Sequence, residues 1–275
     1  MEMQREAWPR ATGCEPGTPA RSERAIEAES GTPEQNRRDL MTTVVLVHGA
    51  FHDGWCWELV RGELDQRGVP NQSLDLPFTG LEGDADAVAK LLDAIDGPAV
   101  VCGHSYGGMV ISRAASGRDD VAHLVYLCAV QVGEDVDLAT AMTTSDELMS
   151  SLVHGDDGSM SVDPAVAPAV FYHDCDDELT ATAVSHLRGM DFGVVQDSDE
   201  PPPPAAWKQI PSTYVVCSQD RTIAPESQRK MAGQADHVVE LDTSHSPMLS
   251  QPGLVADVLA DLAAKTDAAA SEGVR

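Results

Sequence analysis

The run Val100-Val101-Cys102-Gly103-His104-Ser105-Tyr106-Gly107-Gly108 reads as an apolar strand that turns through a G-x-S-x-G pattern into a helix. A serine at such a turn is held in a strained backbone conformation, and glycines on both sides let neighbouring chain pass without a Cβ clash. The hydroxyl then stands clear of the sheet. The five-residue pattern alone is only moderately informative, since an ordinary glycine-rich turn can carry it. An apolar strand before it and helical periodicity over Tyr106 to Ser116 after it make Ser105 the candidate nucleophile.

Outward from this turn, short buried-strand patterns alternate with helical ones. Strands are expected over Thr43 to His48, Asn71 to Asp75, Ala99 to Gly103, Val121 to Leu127, Ser212 to Ser218 and His237 to Leu241. Helices are expected over Trp55 to Arg67, Ala85 to Ile95, Tyr106 to Ser116, Pro225 to Ala232 and Pro252 to Ala264, with Gly68, Gly97 and Gly117 as C-terminal caps of the first three. This alternation predicts an α/β fold, a mostly parallel sheet with helices on both faces. It stops over residues 131–207, where helical patterns (Asp137 to Leu152, Pro164 to Tyr172, Asp176 to Leu187) come without a convincing strand, so that stretch reads as an insertion. Pro201 to Pro204 close it, either as a stiff polyproline II return or as a plain surface linker.

A hydroxyl nucleophile needs a base, and the base an orienting acid, in the chain order Ser, Asp or Glu, His for this architecture. Asp220 follows the strand pattern ending in Cys217-Ser218-Gln219, and His245 lies in the loop Thr243-Ser244-His245-Ser246-Pro247 after the strand pattern Val238-Val239-Glu240-Leu241. Both therefore project from the C-terminal edge of the sheet, where Ser105 sits and where ligands bind. Of nine histidines, only His245 combines a strand end with a position downstream of the acid. Asp242 and Asp199 are rival acids, the first only three residues before His245 and the second beside the proline run. The third element is the loop His48-Gly49-Ala50-Phe51-His52-Asp53-Gly54-Trp55 after the first strand. A tetrahedral intermediate needs two backbone N–H donors aimed at its oxyanion. The amide of Tyr106 supplies one, and Ala50, with Phe51 as the neighbouring alternative, supplies the other. His48 and His52 are expected to tie this loop down as well.

The blocks His48-Gly49-Ala50-Phe51-His52-Asp53-Gly54-Trp55-Cys56-Trp57, Gly103-His104-Ser105-Tyr106-Gly107-Gly108 and Ser244-His245-Ser246-Pro247-Met248-Leu249-Ser250-Gln251-Pro252 resemble the α/β-hydrolase superfamily, and within it the plant methylesterase and hydroxynitrile lyase group with its bacterial esterase relatives. The resemblance runs from Thr42 to Lys265 and implies the α/β-hydrolase fold with a small helical cap inserted after the sixth strand. It implies a serine hydrolase of small or medium, neutral carboxylic esters acting through Ser105, His245 and Asp220, with an oxyanion hole at Ala50 and Tyr106. Lyases of this group carry threonine at the place of Gly49 and lysine at the place of Ser246, so the departures point to the esterase branch. A lyase or carbon–carbon bond hydrolase using the same triad, and a ligand-binding receptor with residual activity, stay open. By the same resemblance the cap covers the acyl pocket. Met142, Leu148, Met149, Leu152, Phe171, Tyr172 and Leu187 are candidate lining residues or plain cap core, and Phe51 and Trp55 join them as pocket candidates.

Composition bounds the rest. The 275 residues carry 45 acidic against 18 basic groups, a net charge of −27, which repels nucleic-acid phosphates and anionic membranes. Residues 1–40 hold eight acidic residues and six arginines, so the other 235 carry −25. That leader, with Pro9, Pro16, Pro19 and Pro33 and few large aliphatics, is expected to be disordered, and a natural start at Met41 would make it an extension. The domain is then residues 41–275. Six widely spaced cysteines without a C-x-x-C pair read as free thiols, with no metal site and no cofactor. No apolar run reaches the roughly 20 residues of a membrane span, and no apolar core of a secretory signal opens the chain, so the expected address is the cytoplasm. The expected partner is a small-molecule ester, without nucleic acid or membrane; a homodimer stays open.

Overall fold

The computed structural model describes residues 41–131, 133, 144–156, 158–191 and 204–273. The leader 1–40, Met142, Asp199 and Pro201 to Pro203 lie outside the described residues. The strands are β1 (Thr43–Val47), β2 (Asn71–Ser73), β3 (Ala99–His104), β4 (Val121–Leu127), β5 (Leu152–His154), β6 (Met160–Val162), β7 (Ser212–Cys217) and β8 (His237–Leu241). Six of them form one sheet in the order β2-β1-β3-β4-β7-β8, each neighbouring pair parallel. The chain enters at β1, steps out to the edge at β2, returns past β1 to β3 and then builds the other way. That reversal opens a crevice at the C-terminal ends of β1 and β3.

The helices are α1 (Glu58–Gln66), α2 (Leu81–Asp93), α3 (Gly107–Ala114), α4 (Asp146–Ser151), α5 (Ala167–Phe171), α6 (Asp177–Ser185), α7 (Pro225–Ala232), α8 (Pro247–Ser250) and α9 (Pro252–Gly273). Successive strand side chains point to opposite faces, so each sheet face builds its own core. Val44, Leu46, Val100 and Cys102 pack with Val60 and Leu64 of α1 and Val255, Leu259 and Leu262 of α9. Val45, Val47 and Val101 pack with Val88 and Leu92 of α2, Val110 and Ile111 of α3 and Met231 of α7. Gly68, Gly97 and Gly117 take positive φ values of 71°, 113° and 74° after α1, α2 and α3, the left-handed caps expected there.

The insertion corrects two expectations. It follows β4, the fourth strand among the described residues, and not a sixth. It is also not wholly helical, because β5 and β6 pair antiparallel. The helical period that runs through Leu152 ends at Ser151, whose carbonyl accepts from Asp163 N at 2.8 Å. The chain turns at Gly155 to Ser159, with Gly158 at φ 85°. Among the described residues no helix is long and apolar enough to cross a membrane.

Candidate active site

Ser105 sits between β3 and α3 with φ 52°, the left-handed conformation expected of a serine raised on a strand-to-helix turn. The glycines around it are required by close approach. A Cβ at Gly103 would stand 2.5 Å from Gly107 O, one at Gly107 2.7 Å from Val47 O, and one at Gly108 2.5 Å from Val130 O. From the β1 loop, a Cβ at Gly49 would stand 2.8 Å from Ser105 Cβ. The serine carbonyl accepts from Gly108 N at 3.1 Å and Val130 N at 3.0 Å, so α3 and the chain after β4 both brace the turn.

Among the described residues, His245 and Asp220 meet: His245 Nδ1 lies 2.6 Å from Asp220 Oδ2, and both side chains are buried. A carboxylate can only accept, so Nδ1 carries the proton and Nε2 is left with its lone pair. The carboxylate is itself fixed. Oδ1 accepts from Thr222 N at 2.6 Å and Ile223 N at 3.0 Å, and Oδ2 from Gln228 Nε2 at 2.7 Å. Gln228 is held in turn by Cys217 N at 2.9 Å. The rival Asp242 is taken up at the surface by Ser218 Oγ and Gln219 Nε2, which hold its carboxyl below the usual range. His104, beside the serine, donates from Nε2 to His245 O at 2.8 Å, and Cys128 Sγ donates to the same carbonyl at 3.5 Å. The ligating atoms of His104, Cys128 and His245 fall within 4.8 Å of one another. His104 Nε2 and Cys128 Sγ thus spend their protons on the His245 carbonyl, and the His245 ring turns to Asp220.

His48 and His52 tie down the β1 loop. His48 Nδ1 donates to Gly49 O at 2.9 Å while its Nε2 accepts from Leu76 N at 2.9 Å. His52 Nδ1 donates to Ala50 O at 2.8 Å while its Nε2 accepts from Tyr172 Oη at 2.9 Å. Burial favours the neutral rings: His48 and His104 are lowered and His52 is lowered to about 4.

Ser105, His245, Ala50, Phe51 and Tyr106 line one cavity of about 330 Å³. Its other walls are Met109 and Val130 of the sheet side, Thr222 and Ile223 beside Asp220, and Thr144, Leu148, Met149, Leu152, His154, Met160 and Phe171 of the insertion. Of the pocket candidates, Phe51, Met149 and Phe171 line this cavity. Trp55, Tyr172 and Leu187 are not among its lining residues. Trp55 instead stacks on His186 with centroids 4.3 Å apart and planes 6° apart, Tyr172 turns its hydroxyl to His52, and Leu187 packs against the core. Met109, Val130, Thr222 and Ile223 carried no signal in the sequence, since they are apolar or small residues whose exposure depends on where the insertion leaves space.

A model of the alpha/beta hydrolase family matches residues 44–258 of the chain. An alpha/beta hydrolase of Aspergillus novofumigatus is 28% identical over 249 residues, covering 82% of this chain and 97% of that protein. Methylesterase 2 of Arabidopsis thaliana is 26% identical, covering 80% and 95%. Among solved structures, a pyrethroid hydrolase from Sphingobium faniae superposes with a TM-score of 0.70 at 26% identity, covering 81% of this chain and 97% of that one.

Proposed function

The chain belongs to the alpha/beta hydrolase family, and from that membership we propose that it hydrolyses small or medium, neutral carboxylic esters by a serine acyl-enzyme route. What supports the reading most is one convergence: Ser105, His245 with its Asp220, and the Ala50–Phe51 loop all border the same apolar cavity. His245 Nε2 takes the Ser105 proton as Oγ attacks the ester carbonyl. Asp220 keeps the proton on Nδ1 and stabilises the imidazolium that forms. The amides of Ala50 and Tyr106 receive the oxyanion, and the imidazolium then protonates the departing alcohol. Water, deprotonated by the same nitrogen, releases the acid.

The neutral-ester assignment rests on the walls. Among the described residues no Lys, Arg, Asp or Glu lines the cavity, so a free carboxylate on the substrate would meet no counter-ion from them. Two features favour esterase over lyase chemistry. Ser246 cannot supply the cation that stabilises departing cyanide, and a Cβ at Gly49 would crowd Ser105 Cβ, so the lyase-type threonine does not suit this turn. A reducing, cytoplasmic setting accords with the free thiols at Cys56, Cys102, Cys128, Cys175 and Cys217. Ser105→Ala is expected to abolish turnover of p-nitrophenyl butyrate with the thermal unfolding profile retained. Turnover left at the wild-type level would refute the assignment.

A further inference from the structure

We propose that the insertion aligns the oxyanion hole, with Tyr172 and Arg188 acting as positioning residues for the amides of the β1 loop; the inference rests on the esterase reading above. Three consecutive carbonyls in that loop each accept a hydrogen bond. Gly49 O is held by His48 Nδ1 at 2.9 Å, Ala50 O by His52 Nδ1 at 2.8 Å and Phe51 O by Arg188 N at 2.8 Å. In a planar trans peptide the N–H points opposite to the C=O. Fixing these carbonyls therefore fixes which way the amides of Ala50, Phe51 and His52 face, and Ala50 and Phe51 border the cavity beside Ser105.

The three holds differ in origin. The His48 ring is anchored by Leu76 N, within the body of the domain. The other two come from the insertion. His52 Nε2 accepts from the Tyr172 hydroxyl at 2.9 Å, with both side chains buried, and Arg188 donates its own main-chain N–H. The Ala50 carbonyl can only accept, so His52 must carry its proton on Nδ1. The Tyr172 hydroxyl, donating to Nε2, selects that tautomer. The loop needs such holds, because Phe51 lies at φ 65°, a region a bulky side chain rarely occupies without contacts that impose it. The segment around Arg188 is anchored too: its guanidinium lies 5.1 Å from the Phe78 ring centroid, and His186 stacks on Trp55.

The test uses the full chain and p-nitrophenyl butyrate. Tyr172→Phe removes one hydroxyl and is expected to lower kcat about tenfold with KM within about twofold, because the loss falls on the transition state. His52→Leu removes the donor to Ala50 O and is expected to lower kcat about a hundredfold. His52→Asn, whose amide nitrogen can stand near the Nδ1 position, should recover part of that loss. Affinity for 1,1,1-trifluoro-2-octanone, which forms a hemiketal oxyanion on the serine, should fall in step with kcat. An unchanged kcat in Tyr172→Phe would overturn the inference, as would a His52→Asn variant no better than His52→Leu at equal melting temperature. Either result leaves the esterase reading intact, whereas wild-type turnover by Ser105→Ala would remove that reading instead.

Discussion

The C-terminal edge of the sheet and the insertion above it enclose the same cavity, but they hold it by different means. At the edge, main chain lies against main chain: Gly103 faces Gly107 O, Gly107 faces Val47 O, Gly108 faces Val130 O, and Ser105 is locked at φ 52° between them. Over the insertion, side chains add contacts beside the main-chain bonds from Arg188 N to Phe51 O and Ser145 N to Thr222 O. Tyr172 reaches His52, His186 stacks on Trp55, Thr222 Oγ1 donates to Val170 O at 3.3 Å, and Asp174 accepts from Ser244 N at 2.8 Å. Backbone contacts at these distances leave no room for one extra carbon, whereas side-chain contacts can be lost singly. The edge therefore holds Ser105 with little tolerance, and the insertion can vary the walls while keeping its anchoring points on the β1 loop.

The largest effect that can break this contrast is at the acid. Asp220→Asn keeps the shape of the side chain but destroys its match to a protonated Nδ1, and should lower kcat by on the order of 10⁴; the melting temperature should fall as well, because the amide nitrogen meets buried donors such as Gln228 Nε2. A drop of less than about tenfold would place the orienting charge elsewhere. Gly103→Ala should destabilise the domain by about 3 kcal/mol, at the upper end of overpacking effects, since its new methyl meets a carbonyl and not a flexible side chain. Gly62→Ala on α1, where a Cβ meets nothing within 4 Å, should be neutral or slightly stabilising, and chemical denaturation of the two variants separates them.

The buried histidines give the next effect. His52 and His123 are lowered from 6.5 to about 4, and His48 and His104 are lowered also, all by burial. Between pH 6.5 and about 4 the unfolded chain binds protons that these folded rings refuse. Their contribution is thus complete above pH 6.5 and erodes on acidification, by up to about 1.4 kcal/mol per pH unit for each ring. Melting temperature should fall steadily from pH 6.5 to 4.5, and His52→Gln should make that fall shallower. An unchanged slope would contradict the neutral ring at this position. The smallest effect is expected at the cavity mouth. Met149 is 55% exposed and lines the cavity, so Met149→Ala should leave stability within about 0.5 kcal/mol and shift KM for long-chain p-nitrophenyl esters by only a few fold.

The same contrast explains how far the sequence could be read. The edge was legible because backbone crowding admits glycine alone: Gly103, Gly107 and Gly108 had to flank Ser105, and a strand-end aspartate and histidine had to follow in order. In the sequence only the closeness of Asp242 to His245 counts for Asp220 over it; in three dimensions Thr222, Ile223 and Gln228 converge on Asp220 while Asp242 remains at the surface. The insertion was legible as a region but not in its details. Its strands β5 and β6 have three residues each, too short to outweigh the helical period that runs into Leu152. Nor does a sequence reveal which way Trp55 and Tyr172 turn. Both have the bulk of pocket residues, and each is claimed by one histidine, His186 or His52, that sits far from it along the chain.

The step to test is attack of Ser105 on the ester from the end of β3, activated by His245. Reaction of the full chain with diethyl p-nitrophenyl phosphate, followed by peptide mass spectrometry, addresses it directly. One equivalent of p-nitrophenolate should be released, with the diethylphosphoryl group on Ser105, esterase activity lost in proportion, and no labelling of His245→Ala at the same rate. A phosphoryl group on another residue, or full inactivation with Ser105 unmodified, would contradict it.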